Sequence, residues 1–282
     1  MPDRGTKSTV YWVQIAGVAL TLVACSAQVQ AQDATSIVKK MIAAYKNAKT
    51  IHETAEAKVL QLNGRAIFQQ SEFYYKAPNE VVIATVDPLT GTLQGFCDGH
   101  DISLYSGKQN IFTRRPAIGS LHDMLTTIAN ASEESLGMRI SQVLSPVSFL
   151  AAKGDVPDEA VGYKLKPGGP VQMDGHTCYE VHALANPDWV QSMAPKLNIA
   201  VKRRDIIFWI DTKTNLLVRA GIALTWLSTV PNQPRTAPPK LPGGFAFEEV
   251  HRGTQIDSNI PEKAFRFFAP KGAIEKFPRS RG

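Results

Sequence analysis

The sequence predicts an α+β fold: one large curved antiparallel sheet with helices covering its concave face. Three observations predict it. The stretches from Ile51 to Arg114 and from Tyr163 to Arg252 alternate apolar and polar residues with a period of two. Most turns within them are too short for helical crossovers, so the strands run antiparallel. Helix-period segments precede both stretches, and no composition break divides the chain, so helix, strands, helices, strands reads as one domain over 32–282.

Composition sets the outer bounds. The 282 residues are 44% apolar and 20% charged with a net charge of +6, which is too apolar for a disordered chain and long enough for a sizeable core. Three Cys are too few for a disulfide scaffold or a Cys-ligated cluster. The only membrane-like run lies at the N-terminus, which excludes a multi-span membrane protein.

Residues 1–31 read as an export signal. Arg4 and Lys7 give a positive start, Val10 to Ala24 is apolar except for Gln14, and Val29-Gln30-Ala31 has the small-x-small form of a cleavage site. The run is about 15 residues, short for about 30 Å of hydrocarbon. Leu22-Val23-Ala24-Cys25 overlaps it and looks like a lipobox. Two expectations stay open: a periplasmic protein beginning at 32, or a lipoprotein with signal 1–24, lipidated at Cys25 and anchored to the outer membrane. Membrane contact is expected only in the second case.

Asp33 to Lys49 is the first amphipathic helix, with Ile37, Met41, Ala44, Tyr45 and Ala48 on one stripe. Strands follow at Glu56–Gln61, Ala66–Lys76, Glu80–Asp87, Thr92–Cys97, Ile102–Ser106 and Asn110–Arg114, with an Asn-Gly hairpin signal at Asn63-Gly64 and a break at Ala77-Pro78-Asn79. Gly119–Gly154 returns to helical spacing, and Pro146 is expected to end or bend its second helix. Tyr163–Lys166 and Thr177–Leu184 read as strands around a loop holding Gly168, Gly169 and Pro170. Asp205–Ile210 and Leu216–Trp226 form a hairpin, and Leu216, Val218, Ala220, Ile222, Leu224 and Trp226 predict one wholly apolar face. Val230–Gly244 is Pro-rich loop, Ala246–Arg252 the last strand, and Phe265, Phe267, Phe268 and Pro270 an apolar segment that seals an edge.

Chemistry-bearing motifs are absent. There is no Gly-x-Ser-x-Gly, no P-loop and no Gly-x-Gly-x-x-Gly, so no enzyme and no cofactor are expected. His176, Cys178 and His182 share a strand face, but nothing nearby completes a metal site, and none is expected. Asp98-Gly99-His100-Asp101 reads as turn chemistry. Lys202-Arg203-Arg204 is the one tight basic cluster, no aromatic-plus-basic motif accompanies it, and no nucleic-acid partner is expected. Cys97 and Cys178 either bridge in an oxidising compartment or remain small buried hydrophobes.

Several segments in order resemble the LolA/LolB-like family of periplasmic lipoprotein carriers. They are Tyr45-Lys46-Asn47-Ala48-Lys49; Phe73-Tyr74-Tyr75-Lys76-Ala77-Pro78-Asn79; Phe96-Cys97-Asp98-Gly99-His100-Asp101 with the following strand through Tyr105; and Asn259-Ile260-Pro261 through Phe265-Arg266-Phe267-Phe268-Ala269-Pro270 to Ala273. The resemblance implies an unclosed β-barrel whose helices form a lid over an apolar cavity. It implies an acyl chain, lipoprotein or other apolar ligand as partner, and it makes Phe73, Tyr75, Val81 and Ile83 candidate cavity residues, a packed core being the alternative. The chain departs from the carriers at Ala77, where they have Arg, and at Cys97 and His100, where they have Ser and Lys. It is also longer, in Leu184–Arg204 and Val230–Gly244. The expected function is an exported binding or carrier protein. The alternative is an envelope-stress or regulatory module of the same fold that binds an envelope protein, using the long loop and the basic cluster.

Overall fold

The computed structural model describes residues 33–60, 66–88, 91–117, 119–125, 127–128, 146–152, 154, 163–184, 199–228 and 247–276. The export signal, Cys25 and the loop 230–244 lie outside the described residues. Asp33–Gly282 forms one compact unit.

Helix α1, Ala34–Lys46, buries Ile37, Val38, Met41, Ile42 and Tyr45, a stripe at helical spacing. It ends before Lys49 because the Lys49 amide donates to Asp257 Oδ1 at 2.7 Å, which draws the chain into the sheet. Strands β1 (Thr50–Leu60), β2 (Ala66–Lys76), β3 (Glu80–Asp87), β4 (Gly91–Asp98), β5 (Asp101–Ser106) and β6 (Ile111–Pro116) then form an antiparallel meander. β1 starts at Thr50 rather than at Glu56, because residues 50–55 pair in full with β2.

Residues 121–125 are helical, and α2 follows at Pro146–Ala151. Pro146 is the first residue of α2, a position that needs no backbone N–H and suits proline's fixed φ; the helix it was expected to end or bend, over 136–144, lies outside the described residues. The remaining strands are β7 (Lys164–Met173), β8 (His176–Leu184), β9 (Ile199–Asp211), β10 (Leu217–Ser228), β11 (Phe247–Ile256) and the short β12 (Ile274–Glu275). All twelve lie in one sheet, in the order β12-β6-β5-β4-β3-β2-β1-β11-β10-β9-β8-β7. Its ends, β12 and β7, do not pair with each other, so the sheet is unclosed. Every pairing is antiparallel except β12 with β6.

Two expectations about the second half are corrected. The Pro167–Pro170 stretch is not a loop but part of β7, with a register shift between Pro167 and Gly169. β7 is the edge strand, the one place where proline costs the ladder little and blocks further pairing. The turn shrinks to Asp174-Gly175, with positive φ of 50° and 84°, the backbone a two-residue hairpin needs. The apolar face of β10 is also not continuous. A bulge between Leu217 and Arg219 shifts the register, so Val218 joins Cys178 and Trp209 on the outer face while Leu217, Ala220 and Ile222 stay inside.

The main core lies on one face of the sheet. It joins α1, Met124, Leu125, Ile128 and Phe149 to inward residues of strands from β1 to β11. Tyr45 of α1 and Phe149 of α2 pack ring on ring with centroids 4.9 Å apart. On the opposite face the C-terminal segment makes a second core: Phe265 buries against Val82 and Ile260, and Phe267 packs on Phe96, Tyr105 and Phe112. This segment thus crosses the outer face before β12 adds to the edge at β6, while Phe268 stays 72% exposed.

The bridge between Cys97 and Cys178 is not formed; both are buried free thiols. Cys97 belongs to the inner core and Cys178 to an outer cluster, so the sheet itself separates them. Burial holds the Cys97 thiol above its ordinary pKa and pushes that of Cys178 up to about 11.

Candidate functional site

The concave face is the candidate site. Phe73 and Tyr75 alternate inward from β2, and Val81 and Ile83 from β3. The register makes Phe73 face Ile83 and Tyr75 face Val81, so the four form two cross-strand pairs. All four are buried in the cluster that includes Ile37, Met41 and Tyr45 of α1. They and the cover helix thus belong to one continuous apolar core.

The same face carries a polar group that the sequence reading missed. Glu53 of β1 and Glu249 and His251 of β11 all point inward and are almost wholly buried. His251 Nδ1 lies 2.5 Å from Glu53 Oε1. Thr254 Oγ1 donates to Glu53 Oε2 at 2.9 Å, and the Tyr45 hydroxyl donates to the same oxygen at 3.4 Å. That hydroxyl in turn accepts the Leu217 amide at 3.3 Å, so it ties α1 to both β1 and β10. Burial pulls the His251 pKa down, but Glu53 and Glu249 together outweigh it and the net shift is upward. Burial raises the Glu249 pKa, and burial beside Glu53 raises that of Tyr45.

Other motifs have structural roles. Asp98 Oδ1 accepts the amides of His100 at 2.9 Å and Asp101 at 2.8 Å, the turn chemistry expected of Asp98-Gly99. A cavity of about 480 Å³ opens beside it on the outer face, under Arg266 and Phe267. Two of its carboxylates, Glu80 and Glu262, are paired with Lys76 at 3.1 and 3.6 Å. His176 bonds Asp211 at 2.8 Å and His182 bonds Glu180 at 2.7 Å. Among the described residues, no group of three or more His, Cys, Asp or Glu could hold a metal ion, and no helix is long and apolar enough to cross a membrane. The side chains of Lys202, Arg203 and Arg204 lie outside the description.

The unclosed sheet with helices on one face is the α+β architecture expected from the sequence. Residues 34–159 match the family described as "Predicted periplasmic protein (DUF2092)". That match makes the chain a periplasmic protein, in agreement with the export expectation. The DUF2092 match spans α1, the six-strand meander and α2. It therefore includes the four candidate cavity residues and Glu53 but not Glu249 or His251.

Among solved structures, the chain is similar to an uncharacterized conserved protein from Thermus thermophilus, at 9% identity and a TM-score of 0.43, covering 88% of this chain and 99% of that one. It is similar to the Mycobacterium tuberculosis lipoprotein LppX at 16% identity and 0.40, covering 81% and 97%. It also resembles a chain of the Pseudomonas aeruginosa MucA/MucB complex at 12% identity and 0.42, covering 84% of this chain and 62% of that chain. No curated protein matches the chain.

Proposed function

We propose that this protein is a periplasmic binding or carrier protein, not an enzyme, that takes an acyl chain or other apolar ligand against its concave face. One observation carries the reading. Among the described residues, the apolar face drawn from most strands of the sheet is covered by a 13-residue helix and shorter helical pieces, not by a second sheet. Such a cover is bonded to the sheet by side chains rather than by a strand ladder, so it can be displaced as a unit while the sheet keeps its hydrogen bonds. An alkyl chain that replaced it would recover apolar burial worth about 25 cal/mol per Å². Phe73, Tyr75, Val81 and Ile83 then contact the ligand. The test is displacement of a fluorescent fatty acid from the purified protein. Saturable binding, weakened by Ile83→Asp, is expected; absence of saturable binding overturns the reading.

A further inference from the structure

The inward polar group on β11 has one unmet requirement. Glu249 Oε2 and His251 Nε2 are buried and have no hydrogen-bond partner. They stand 3.8 Å apart, close enough to attract and too far to bond. The rest of the group is gathered on Glu53, which holds His251 Nδ1, Thr254 and, from the cover helix, Tyr45. Buried polar atoms left open in this way are costly unless something completes them.

The cross-strand neighbours there are small. Glu249 is flanked by Ala57 on β1 and by Ala220 on β10, and His251 by Ala55 on β1. Three neighbouring positions on the concave face therefore end at Cβ. One oxygen placed about 2.8 Å from both open atoms would close the gap at an angle of about 85°.

The chemistry of that oxygen follows from its two neighbours. A carboxylate only accepts, so His251 Nδ1 is the donor to Glu53. Glu53 and Glu249 favour the protonated imidazole, and in that form Nε2 is a donor as well. The missing group must donate to Glu249 and accept from His251. A hydroxyl does both. A carboxylate head would instead bring a third negative charge beside Glu53 and Glu249.

Resting on the function proposed above, we propose that the Glu249–His251 gap is a hydroxyl-recognition site, so that the ligand is an amphiphile whose alkyl part lies on the apolar face and whose neutral hydroxyl bridges Glu249 Oε2 and His251 Nε2.

Competitive displacement of N-phenylnaphthylamine by tetradecanol, by its methyl ether and by tetradecanoate tests this. The alcohol should bind about tenfold or more tighter than the ether, since a site built to pair a hydroxyl rejects the analogue that lacks its proton. Tetradecanoate should also bind more weakly than the alcohol. Glu249→Leu should bring the alcohol-to-ether ratio to about one, and Glu249→Gln, which keeps an acceptor, should retain part of it. Equal displacement by alcohol and ether in the wild type, or tightest binding of tetradecanoate, overturns the hydroxyl site but leaves the carrier reading standing. Failure of all three to displace the probe overturns both. The wild-type ratio decides the matter even if a variant does not fold.

Discussion

His251 of β11 and Glu53 of β1 form a buried hydrogen-bonded ion pair, 2.5 Å between Nδ1 and Oε1, across the seam where the meander meets the C-terminal strands. The two residues are 198 positions apart in sequence, and β1–β11 is the pairing that joins the two halves of the sheet. A buried pair of this kind is costly to break, because the surviving partner is left charged and unsolvated. His251→Leu should therefore destabilise the fold by about 3–5 kcal/mol, measured by chemical denaturation.

The same pair sets a pH dependence. The His251 pKa is raised in the folded state, so its contribution is complete below the ordinary imidazole value of about 6.5 and is lost as pH rises through the folded value. Glu249, whose pKa burial raises, acts in the same direction, because ionising it costs more in the folded protein. Denaturation midpoints should fall between mildly acidic and alkaline pH in the wild type. In His251→Gln the part of that decline above about pH 6.5 should vanish. Midpoints rising with pH over this range would contradict the assignment.

The cover helix has a polar latch. Tyr45 donates to Glu53 and accepts the Leu217 amide. Tyr45→Phe keeps the ring against Phe149 but leaves that amide unpaired and removes one donor from Glu53. The expected cost is about 1–2 kcal/mol. Hydrogen exchange should accelerate in α1 and at the Leu217 amide, with β2 and β3 little changed. Uniform acceleration through the sheet would mean that α1 is not an independently moving cover.

What was legible in the sequence depended on how local its signal was. β2 and β3 were read to the residue because their alternation is strong and the break at Ala77-Pro78-Asn79 is local. The four candidate cavity residues were placed on one inward face by the same parity, and the structure puts them there. Glu53, Glu249 and His251 were missed because their burial depends on the β1–β11 pairing, which no local pattern encodes. A signal did exist: Glu249 and His251 share parity with Phe247, and Glu53 with Ile51, so polar side chains sat on apolar phases. The β10 bulge was invisible for a related reason, since strict alternation in sequence assumes a register without an extra residue.

Asp211 gives a prediction on the acid side. Its Oδ1 accepts from the amides of Lys213 and Thr214, each at 2.8 Å, and closes the β9–β10 turn, while Oδ2 meets His176. Burial alone would raise its pKa, but the Thr214 amide, His176 and the Lys213 amide outweigh burial and hold it at about 2. A depressed carboxylate pKa stabilises above the unfolded value of about 3.9 and ceases to as pH falls through the folded one. Acid unfolding of Asp211→Asn should therefore be shallower than that of the wild type between about pH 4 and 2. An identical acid limb in the two proteins would remove Asp211 from the account.

The Pro-Gly-Gly-Pro stretch of β7 supplies a test of the edge itself. A Cβ on Gly168 would stand 2.5 Å from Glu180 Oε1 and 3.0 Å from its Cγ and Cδ. Glu180 cannot yield freely, because one oxygen meets His182 Nε2 at 2.7 Å and the other accepts the Trp209 indole N–H at 2.9 Å. Gly168→Ala must displace this carboxylate and give up one of those bonds, at a cost of about 1–3 kcal/mol. The Trp209 indole N–H resonance should move or broaden. Gly154→Ala, where nothing stands within 4 Å, should leave that resonance in place. If Gly168→Ala proves as mild as Gly154→Ala, the carboxylate is not held between β8 and β9, and the glycine serves only to let the proline-flanked edge bend. If it behaves as expected, Gly168 is required because the edge strand must pass close over Glu180, and the stretch that reads as a loop in sequence is fixed as a strand by what lies beneath it.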